Sequence, residues 1–330
     1  MESINSEYLP RAQKYENDAD KASKSSTGFF SKIFGNYDDN KCGSLYANAA
    51  QCYTLCENHK KAAECHQLSY IHYTKNKYPF EGLQQLYMCA QSFKHNKNLF
   101  DYFCTMSQYI TESLQQVENL NVAKIGDYEE ELAKVYSETI DDIEALKVYD
   151  ASELSNNAIQ HYTKAIHYYK FVPKFSLYKI KKCKISIAEL YAKDQEYYLA
   201  YICYDELFKE ELNDKSISSA YLKDDYFMWA SFAKIGDMLK NNFDEVELEK
   251  QRKKYCNDSR HIQYLNNVIE TLIKKDINLF FEARKEYDEL CGKISRITSW
   301  VEQILSKCES YIRTGNNNNI SADVDENDLT

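Results

Sequence analysis

Apolar residues recur along the chain at helical spacing, and a small residue followed three positions later by an aromatic one marks each repeat. The pairs are Ala50 with Tyr53, Ala90 with Phe93, Ala133 with Tyr136 and Ala188 with Tyr191, and a degraded version lies near Ala230. The intervals between these alanines are 40, 43, 55 and 42 residues. Two helices and two turns fill about 40 residues in repeat proteins. The pattern predicts an all-α fold, a right-handed α-solenoid of tetratricopeptide-like helix pairs.

The clearest helix pair lies early in the chain. Small residues at helical spacing occupy Tyr46 to Cys56, a polar break follows at Glu57-Asn58-His59, and a second helical pattern starts at Lys60. Small side chains on both sides of a tight turn let two helices approach closely, which predicts an antiparallel pair. The 55-residue interval carries about a dozen extra residues, which we place between Leu154 and Phe175, where a tyrosine-rich helical pattern is lengthened.

The repeat fades after Tyr226, and longer helices are expected there. Asp258-Ser259-Arg260 has the composition of a helix cap and precedes an apolar stripe. The stripes are Tyr264, Leu265, Val268, Ile269 and Leu272, then Leu279, Phe280, Ala283, Tyr287 and Leu290, then Ile297, Trp300, Val301, Ile304 and Leu305. They predict a helical bundle that caps the solenoid, with order ending at Gly315.

These observations divide the chain into three parts. Residues 1–225 are predicted to form the solenoid, including a loop at 28–35; residues 226–313 the bundle; and residues 314–330 a flexible acidic tail.

Composition narrows the class of protein. Only 8 Gly and 3 Pro occur in 330 residues, which favours long helices. A formal charge of −10 argues against a nucleic-acid partner. The sequence contains no run of about 18 apolar residues, the length needed to span a membrane. The start of the sequence lacks the features of a secretory signal. Eleven scattered cysteines fit reduced thiols, so we expect a cytoplasmic protein.

An apolar loop lies between Gly28 and Gly35 and has polar flanks. Its large side chains are Phe29, Phe30, Ile33 and Phe34. They could cover the first helix pair as a hydrophobic plug. Alternatively they could enter a membrane, where burying each would contribute on the order of 1.5–3 kcal/mol while Lys32 meets anionic headgroups.

A run of lysines precedes the helical segment that starts at Ile185. It comprises Lys179, Lys181, Lys182 and Lys184, and Lys94, Lys97, Lys124 and Lys223 could extend it. Such runs are usually solvated helix faces. In an acidic chain, a lysine strip could also hold an acidic helical partner.

No catalytic motif is present. The sequence has no Gly-rich phosphate loop and no serine-hydrolase or zinc-protease signature. Cys52, Cys56 and the Cys65-His66 pair could be drawn as a zinc site, but no CxxC occurs and these positions serve helix packing, so buried thiols are favoured. We therefore expect a protein that is not an enzyme and has no cofactor or metal.

Several motifs together resemble the soluble NSF attachment protein family, over nearly the whole chain. They are the loop Gly28 to Gly35, Leu45-Tyr46-Ala47-Asn48-Ala49-Ala50, Leu222-Lys223-Asp224-Asp225-Tyr226-Phe227, Asp258-Ser259-Arg260, Lys285-Glu286-Tyr287-Asp288, the Arg296 and Trp300 pair, and the Asp-Glu-x-Asp-Leu-x ending. Seven motifs in the right order with the right gaps are highly specific, although none is decisive alone.

The resemblance implies an adaptor without catalytic activity. Family members lie in several copies along an assembled SNARE bundle of syntaxin-like and synaptobrevin-like helices, recruit and stimulate the hexameric ATPase NSF, and serve vesicle trafficking such as ER–Golgi transport, peripherally on membranes. Carried over by position, the membrane contact is Phe29 and Phe30, with Ile33 and Phe34 beside them. The SNARE contacts are Lys94, Lys124, Lys182 and Lys223, and the NSF contacts are Asp237, Glu270, Asp325, Glu326, Asp328 and Leu329.

The chain departs from the family pattern at three places. Glu57 stands at a basic position, Glu129-Glu130-Glu131 replaces a basic cluster, and Lys274-Lys275 replaces two glutamates. A different reading of the repeats is a general tetratricopeptide-like scaffold that binds peptides and has no link to NSF.

Overall fold

The structure, a computed structural model, describes residues 2–25, 39–116, 122–214, 217–292 and 296–322. These residues form α-helices and contain no β-strand, which confirms the predicted all-α class. In chain order the helices are α1 (Glu2–Ser25), α2 (Asp39–Leu55), α3 (His59–Lys75), α4 (Pro79–His95), α5 (Leu99–Gln115), α6 (Val122–Ile140), α7 (Ala151–Tyr169), α8 (Pro173–Lys193), α9 (Tyr197–Asn213), α10 (Ile217–Lys240), α11 (Glu245–Lys253), α12 (Arg260–Lys274), α13 (Ile277–Cys291) and α14 (Ser299–Ala322). Within the described ranges, no helix is both long and apolar enough to cross a bilayer.

The chain forms two compact units, residues 1–128 and residues 129–330. The point between them falls inside α6. The predicted boundary after residue 225 lies within α10, and the division of the chain at that point stays a prediction.

The first unit repeats one local design. Helices α2, α3, α4 and α5 are each 17 residues long, and three-residue turns separate them. Each turn contains a residue with left-handed backbone, Glu57, Lys77 or Lys97, which ends the preceding helix. Asn58 then caps α3 by accepting a hydrogen bond from the Lys61 backbone N–H at 3.2 Å. The predicted break at residues 57–59 is therefore confirmed.

The repeated alanines pack as predicted. Ala50, Ala90, Ala133, Ala188 and Ala230 have no exposed surface. They lie in α2, α4, α6, α8 and α10, which is every second helix. A position that recurs in the same member of each helix pair is what a helix-pair repeat requires, because the small side chain lets the neighbouring helix approach.

The long third interval has a different origin from the one predicted. The stretch from Leu154 to Phe175 was expected to hold the extra residues. Helices α7 and α8 are somewhat longer than those of the first unit, with 19 and 21 residues. The largest change lies earlier, where the connection 141–150, with a 3₁₀ turn at Ala145–Lys147, replaces a three-residue turn. Its backbone is held by local bonds, including Glu144 N–H to Asp142 Oδ1 at 3.0 Å, which a search for helical periodicity does not detect.

The predicted stripes of α12, α13 and α14 form the main core of the second unit. Ser259 caps α12, as the sequence indicated. Predictions in this region were wrong at two places. Leu279 and Leu290 lie 37% and 65% exposed, because the apolar face of α13 is already completed by Phe280, Ala283 and Tyr287. Helix α14 continues past Gly315 to Ala322, since a single glycine in a helix costs only about 1 kcal/mol.

Gly236 in α10 marks a close approach of helices in the second unit. A Cβ atom at this position would lie 2.9 Å from Ile304 Cδ1 and 3.0 Å from the Tyr197 ring. The glycine therefore lets α10 pack simultaneously against α9 and α14.

We expect Gly236→Val to lower the free energy of unfolding by about 1–3 kcal/mol, because its methyl groups overpack the contact with Ile304 and Tyr197. Urea unfolding followed by circular dichroism measures the change. Glu282→Val, at an exposed position of α13, is the control and should cost only a few tenths of a kcal/mol through helix propensity. An unfolding midpoint of Gly236→Val equal to that of the parent would contradict this packing.

Candidate functional site

Two groups of predicted site residues lie outside the described residues. They are the membrane-contact residues Phe29, Phe30, Ile33 and Phe34 and the C-terminal NSF-contact residues Asp325, Glu326, Asp328 and Leu329. The remaining predicted contacts, four lysines and two acids, have described positions.

The lysine run of α8 is engaged with its own neighbours. Lys181 pairs with Glu211 at 2.5 Å, and the Lys181 side chain is only 17% exposed. Lys184 pairs with Glu210, and Lys179 lies over the Tyr169 ring at 5.3 Å. These contacts join α8 to α9 and α7. The run is thus largely paired within the second unit, and Lys181 in particular serves its packing.

Lys182 is paired with a residue that departs from the family pattern. Its Nζ donates to Glu130 Oε1 at 2.7 Å, and the hydroxyl of Tyr169 donates to Glu130 Oε2 at 2.8 Å. The hydrogen bond that Lys182 donates to Glu130 raises the pKa of Lys182, although partial burial opposes the shift. About half of the Lys182 side chain is exposed, so the ammonium group faces solvent with a carboxylate beside it.

The other predicted lysines differ from one another in setting. Lys94 in α4 lies over the Tyr102 ring at 5.6 Å, and Lys124 in α6 lies over the Tyr128 ring at 5.9 Å. Lys223 in α10 is half-buried. In both contacts the ammonium nitrogen itself lies over the ring, so a cation–π interaction holds the charge in place.

The two described acids of the predicted NSF contact lie in α10 and α12. Asp237 accepts a hydrogen bond from Asn241 Nδ2 at 2.8 Å. Glu270 pairs with Lys274 at 2.5 Å, one turn along α12, and this hydrogen bond lowers the pKa of Glu270. Lys274 is one of the two lysines found where the family pattern has glutamates, so this departure places a cation directly on a predicted acidic contact.

The zinc interpretation of the cysteines finds no support in geometry. Over the described part of the chain, no three His, Cys, Asp or Glu side chains come together in a way that could hold a metal ion. Cys52 and Cys65 pack in the apolar core of the first unit, and His66 hydrogen-bonds Gln85 at 2.8 Å. Burial raises the pKa of Cys65 to about 12, as expected for a thiol that serves packing.

A polar cluster in the second unit joins segments that are distant in sequence. Arg296 Nε lies 3.1 Å from Asp225 Oδ2, and the Arg296 backbone carbonyl accepts a hydrogen bond from Trp229 Nε1 at 2.9 Å. The Arg296 backbone N–H donates to the Tyr287 hydroxyl at 3.1 Å. The same hydroxyl lies 2.8 Å from His261 Nδ1. The cluster fixes the segment that leads into α14.

The neighbouring carboxylate, Asp224, serves the same region. It accepts hydrogen bonds from the Tyr255 hydroxyl at 2.6 Å and from Asn257 Nδ2 at 2.8 Å. Asp224 and Asp225 are both buried, and α10 presents them to the segments before α12 and α14. Buried carboxylates are tolerated when hydrogen bonds or ion pairs satisfy them. The Asp-Asp pair beside Lys223 is therefore structural.

Comparisons with known proteins identify the family of this chain. The model of a family described as soluble NSF attachment protein, SNAP, matches residues 10–313. The chain belongs to the soluble NSF attachment protein family. Two relatives, the alpha-soluble NSF attachment proteins of Mus musculus and Homo sapiens, are each 23% identical to it over 306 residues, covering 90% of this chain and 92% of theirs.

Three of the motifs that carry the family resemblance meet in this polar cluster. They are the segments 222–227, 285–288 and 296–300, and a fourth, 258–260, lies between Asn257, which bonds Asp224, and His261, which bonds Tyr287. In the sequence they are separate markers, and nothing in their spacing predicts that they are in contact. The residue types carry a signal, since a buried Asp or Tyr requires polar partners, but which residues pair depends on the tertiary fold.

The buried carboxyl of Asp225 predicts a distinct pH dependence. Burial, the largest effect, raises the pKa of Asp225 to about 6, although Arg296 opposes the shift; Asp224 adds to it. In the unfolded chain the pKa of Asp is about 3.9. The folded state therefore holds the proton more tightly, so the contribution of Asp225 to stability is full below about pH 4 and is lost as pH rises through about 6.

We expect the free energy of unfolding of the parent, relative to Asp225→Asn, to fall by about 2–3 kcal/mol between roughly pH 4 and pH 7. Urea unfolding of both proteins at a series of pH values gives this difference, and titrations shared by the two proteins cancel. Burial, Arg296 and Arg260 lower the pKa of nearby His261. Repeating the comparison in a His261→Gln background therefore separates the titration of Asp225 from that of His261. A difference that does not change with pH would contradict the raised pKa.

Proposed function

We propose that this protein is an adaptor that binds assembled SNARE bundles and recruits and stimulates the ATPase NSF during vesicle trafficking. Its membership of the soluble NSF attachment protein family, over residues 10–313, carries the proposal. The names of its two relatives likewise refer to NSF attachment. The helical scaffold suits an adaptor, because stacked helices provide long surfaces for other proteins.

For the SNARE side we propose contacts through Lys94, Lys124, Lys182 and Lys223. Exposed ion pairs are individually worth at most about 1 kcal/mol, so affinity would come from several contacts spread along a long acidic bundle. Such binding would depend on complementary charge and shape, and it should weaken as salt is raised because salt screens exposed charges. The carboxylate of Glu130 beside Lys182 would reduce the contribution of that lysine.

For the NSF side we propose contacts through Asp237, Glu270 and the acidic C-terminal segment. Asp325, Glu326 and Asp328 would meet a basic surface, and Leu329 would stimulate the ATPase. Lys274, which pairs with Glu270, would weaken the acidic character of this surface.

At the membrane we propose that Phe29, Phe30, Ile33 and Phe34 enter the lipid surface, so that the protein works in the cytoplasm and peripherally on membranes. A single loop binds weakly, and several copies around one SNARE bundle would bind well through multivalency.

ATP-dependent disassembly of a SNARE complex by NSF tests the function directly. We expect the parent protein to support disassembly, and Leu329→Ala to bind the SNARE complex normally but to lose most of the stimulation. Thr330→Ala, which changes the adjacent residue, is the matched control. Absence of disassembly with the parent, or full activity of Leu329→Ala, would contradict the proposal. A peptide-binding scaffold without a link to NSF would tolerate removal of all residues after Arg313.

The Glu130 pairing gives a second prediction. We expect Glu130→Gln to strengthen binding to a SNARE bundle by up to about fivefold, because it frees the charge of Lys182 and keeps a group that can bond Tyr169. Binding is measured by titration at low and high salt, and the gain should shrink at high salt. Glu138→Gln, on the exposed side of α6, is the control and should change little. Weaker or unchanged binding of Glu130→Gln would place Lys182 outside the interface.

A further inference from the structure

The turn between α3 and α4 exposes aromatic and basic side chains together. Its sequence is Lys75-Asn76-Lys77-Tyr78-Pro79-Phe80, which we call the 75–80 turn. Phe80 is 63% exposed and Tyr78 is 40% exposed, and both lysines are exposed. Single exposed apolar side chains are common on protein surfaces, so the feature of interest here is that two aromatic rings and two lysines are exposed on one turn.

Hydrogen bonds and a restricted backbone define the conformation of the turn, so the exposure is a property of the fold. Asn76 Nδ2 donates to the His72 carbonyl at 2.8 Å, and the Tyr78 backbone N–H donates to the Tyr73 carbonyl at 3.0 Å. Lys77 has a left-handed backbone with φ of 62°, and Pro79 restricts the first residue of α4. These bonds hold Phe80, the second residue of α4, in an outward position.

The turn lies at the end of the first unit where α1 ends and α2 begins. Ser69 Oγ in α3 donates to the Gly43 carbonyl in α2 at 2.6 Å, and Gly82 in α4 packs against Thr74 in α3. At the same end, the Tyr46 hydroxyl in α2 donates to Asp20 Oδ1 in α1 at 2.6 Å. The segment that carries the predicted membrane contact therefore leaves and re-enters the helices at the end where the 75–80 turn is displayed.

The chemistry of the turn favours one kind of partner. An acidic protein surface would complement the lysines and leave the aromatic rings exposed, whereas an apolar protein groove would complement the rings and desolvate the lysines. The surface of an anionic bilayer accommodates both, since rings enter the interface while lysines reach the headgroups. The two lysines also contrast with a chain charge of −10, and the exposed Glu81 offsets only one of them.

We propose that the 75–80 turn is a second membrane contact, which places Tyr78 and Phe80 in the interface of an anionic bilayer and Lys75 and Lys77 among its headgroups. This inference rests on the proposed membrane association of the protein. It adds a contact to the one proposed at residues 28–35, and two contacts at one end of the unit would fix its orientation on the membrane.

Vesicle flotation tests the proposal on the full chain. We expect Phe80→Ser to lower the partition coefficient on phosphatidylcholine–phosphatidylserine vesicles by about fivefold or more. Lys75→Gln with Lys77→Gln should cause a similar or larger loss on these vesicles and little change on pure phosphatidylcholine. All the altered side chains are exposed, and circular dichroism with urea unfolding checks that the variants fold.

The chain supplies a matched control at the opposite end of the same unit. Phe100 is also the second residue of its helix, is 65% exposed, and follows a turn in which Lys97 has a left-handed backbone. We expect Phe100→Ser to bind vesicles as the parent does. With brominated lipids, the added fluorescence of Phe80→Trp should be quenched and that of Phe100→Trp should not.

The outcomes separate this proposal from the wider one. If Phe29→Ser with Phe30→Ser lowers binding while Phe80→Ser binds like the parent and Phe80→Trp is not quenched, the 75–80 turn is not a membrane contact, although membrane association stands. Equal losses for Phe80→Ser and Phe100→Ser would also overturn it, since they would indicate general stickiness. If the parent binds no anionic vesicles, both proposals fail, while the NSF-dependent assay still tests the adaptor function separately.

Discussion

Close contact between helices at small residues is the interaction on which the remaining structure depends. The alanines at 50, 90, 133, 188 and 230 have no exposed surface and lie in every second helix. Tyrosine rings fill space in the packed regions, and their hydroxyl groups donate hydrogen bonds to polar partners, as Tyr46 does to Asp20 and Tyr255 does to Asp224. A helix in this arrangement buries its apolar face only against its neighbours, so the packing of the helices determines where each surface residue lies.

Some charged residues of the scaffold form ion pairs that offset the charge of predicted contact residues. Two departures from the family pattern lie against predicted contact residues, Glu130 against Lys182 and Lys274 against Glu270. Lys182 keeps the positive charge of a predicted SNARE contact, and Glu130 places a negative charge beside it. Glu270 keeps the negative charge of a predicted NSF contact, and Lys274 places a positive charge beside it. Because exposed pairs are weak, a partner of sufficient charge could displace them. The pairs would then adjust affinity without removing the binding surface.

Local features of the fold could be predicted from the sequence, because local chemistry determines them. The break at residues 57–59 and the cap at Ser259 are examples, and the buried alanines follow from helical spacing. The extra residues of the long interval were predicted in the wrong place because the turns of the connection 141–150 have no helical period. The end of α14 was predicted too early because one glycine is a weak stop signal. The contacts of Lys182 with Glu130 and of Arg296 with Asp225 depend on packing between segments 52 and 71 residues apart, which no local pattern encodes.

The proposed function requires that this chain physically connects a SNARE bundle to NSF. Co-sedimentation of NSF with an immobilised SNARE bundle, in the presence of a non-hydrolysable ATP analogue, measures that connection without requiring disassembly. The account predicts that NSF is retained only when this protein is added, and that retention falls as salt is raised. Retention of NSF to the same extent without the protein, or binding of the protein to neither partner, would contradict it.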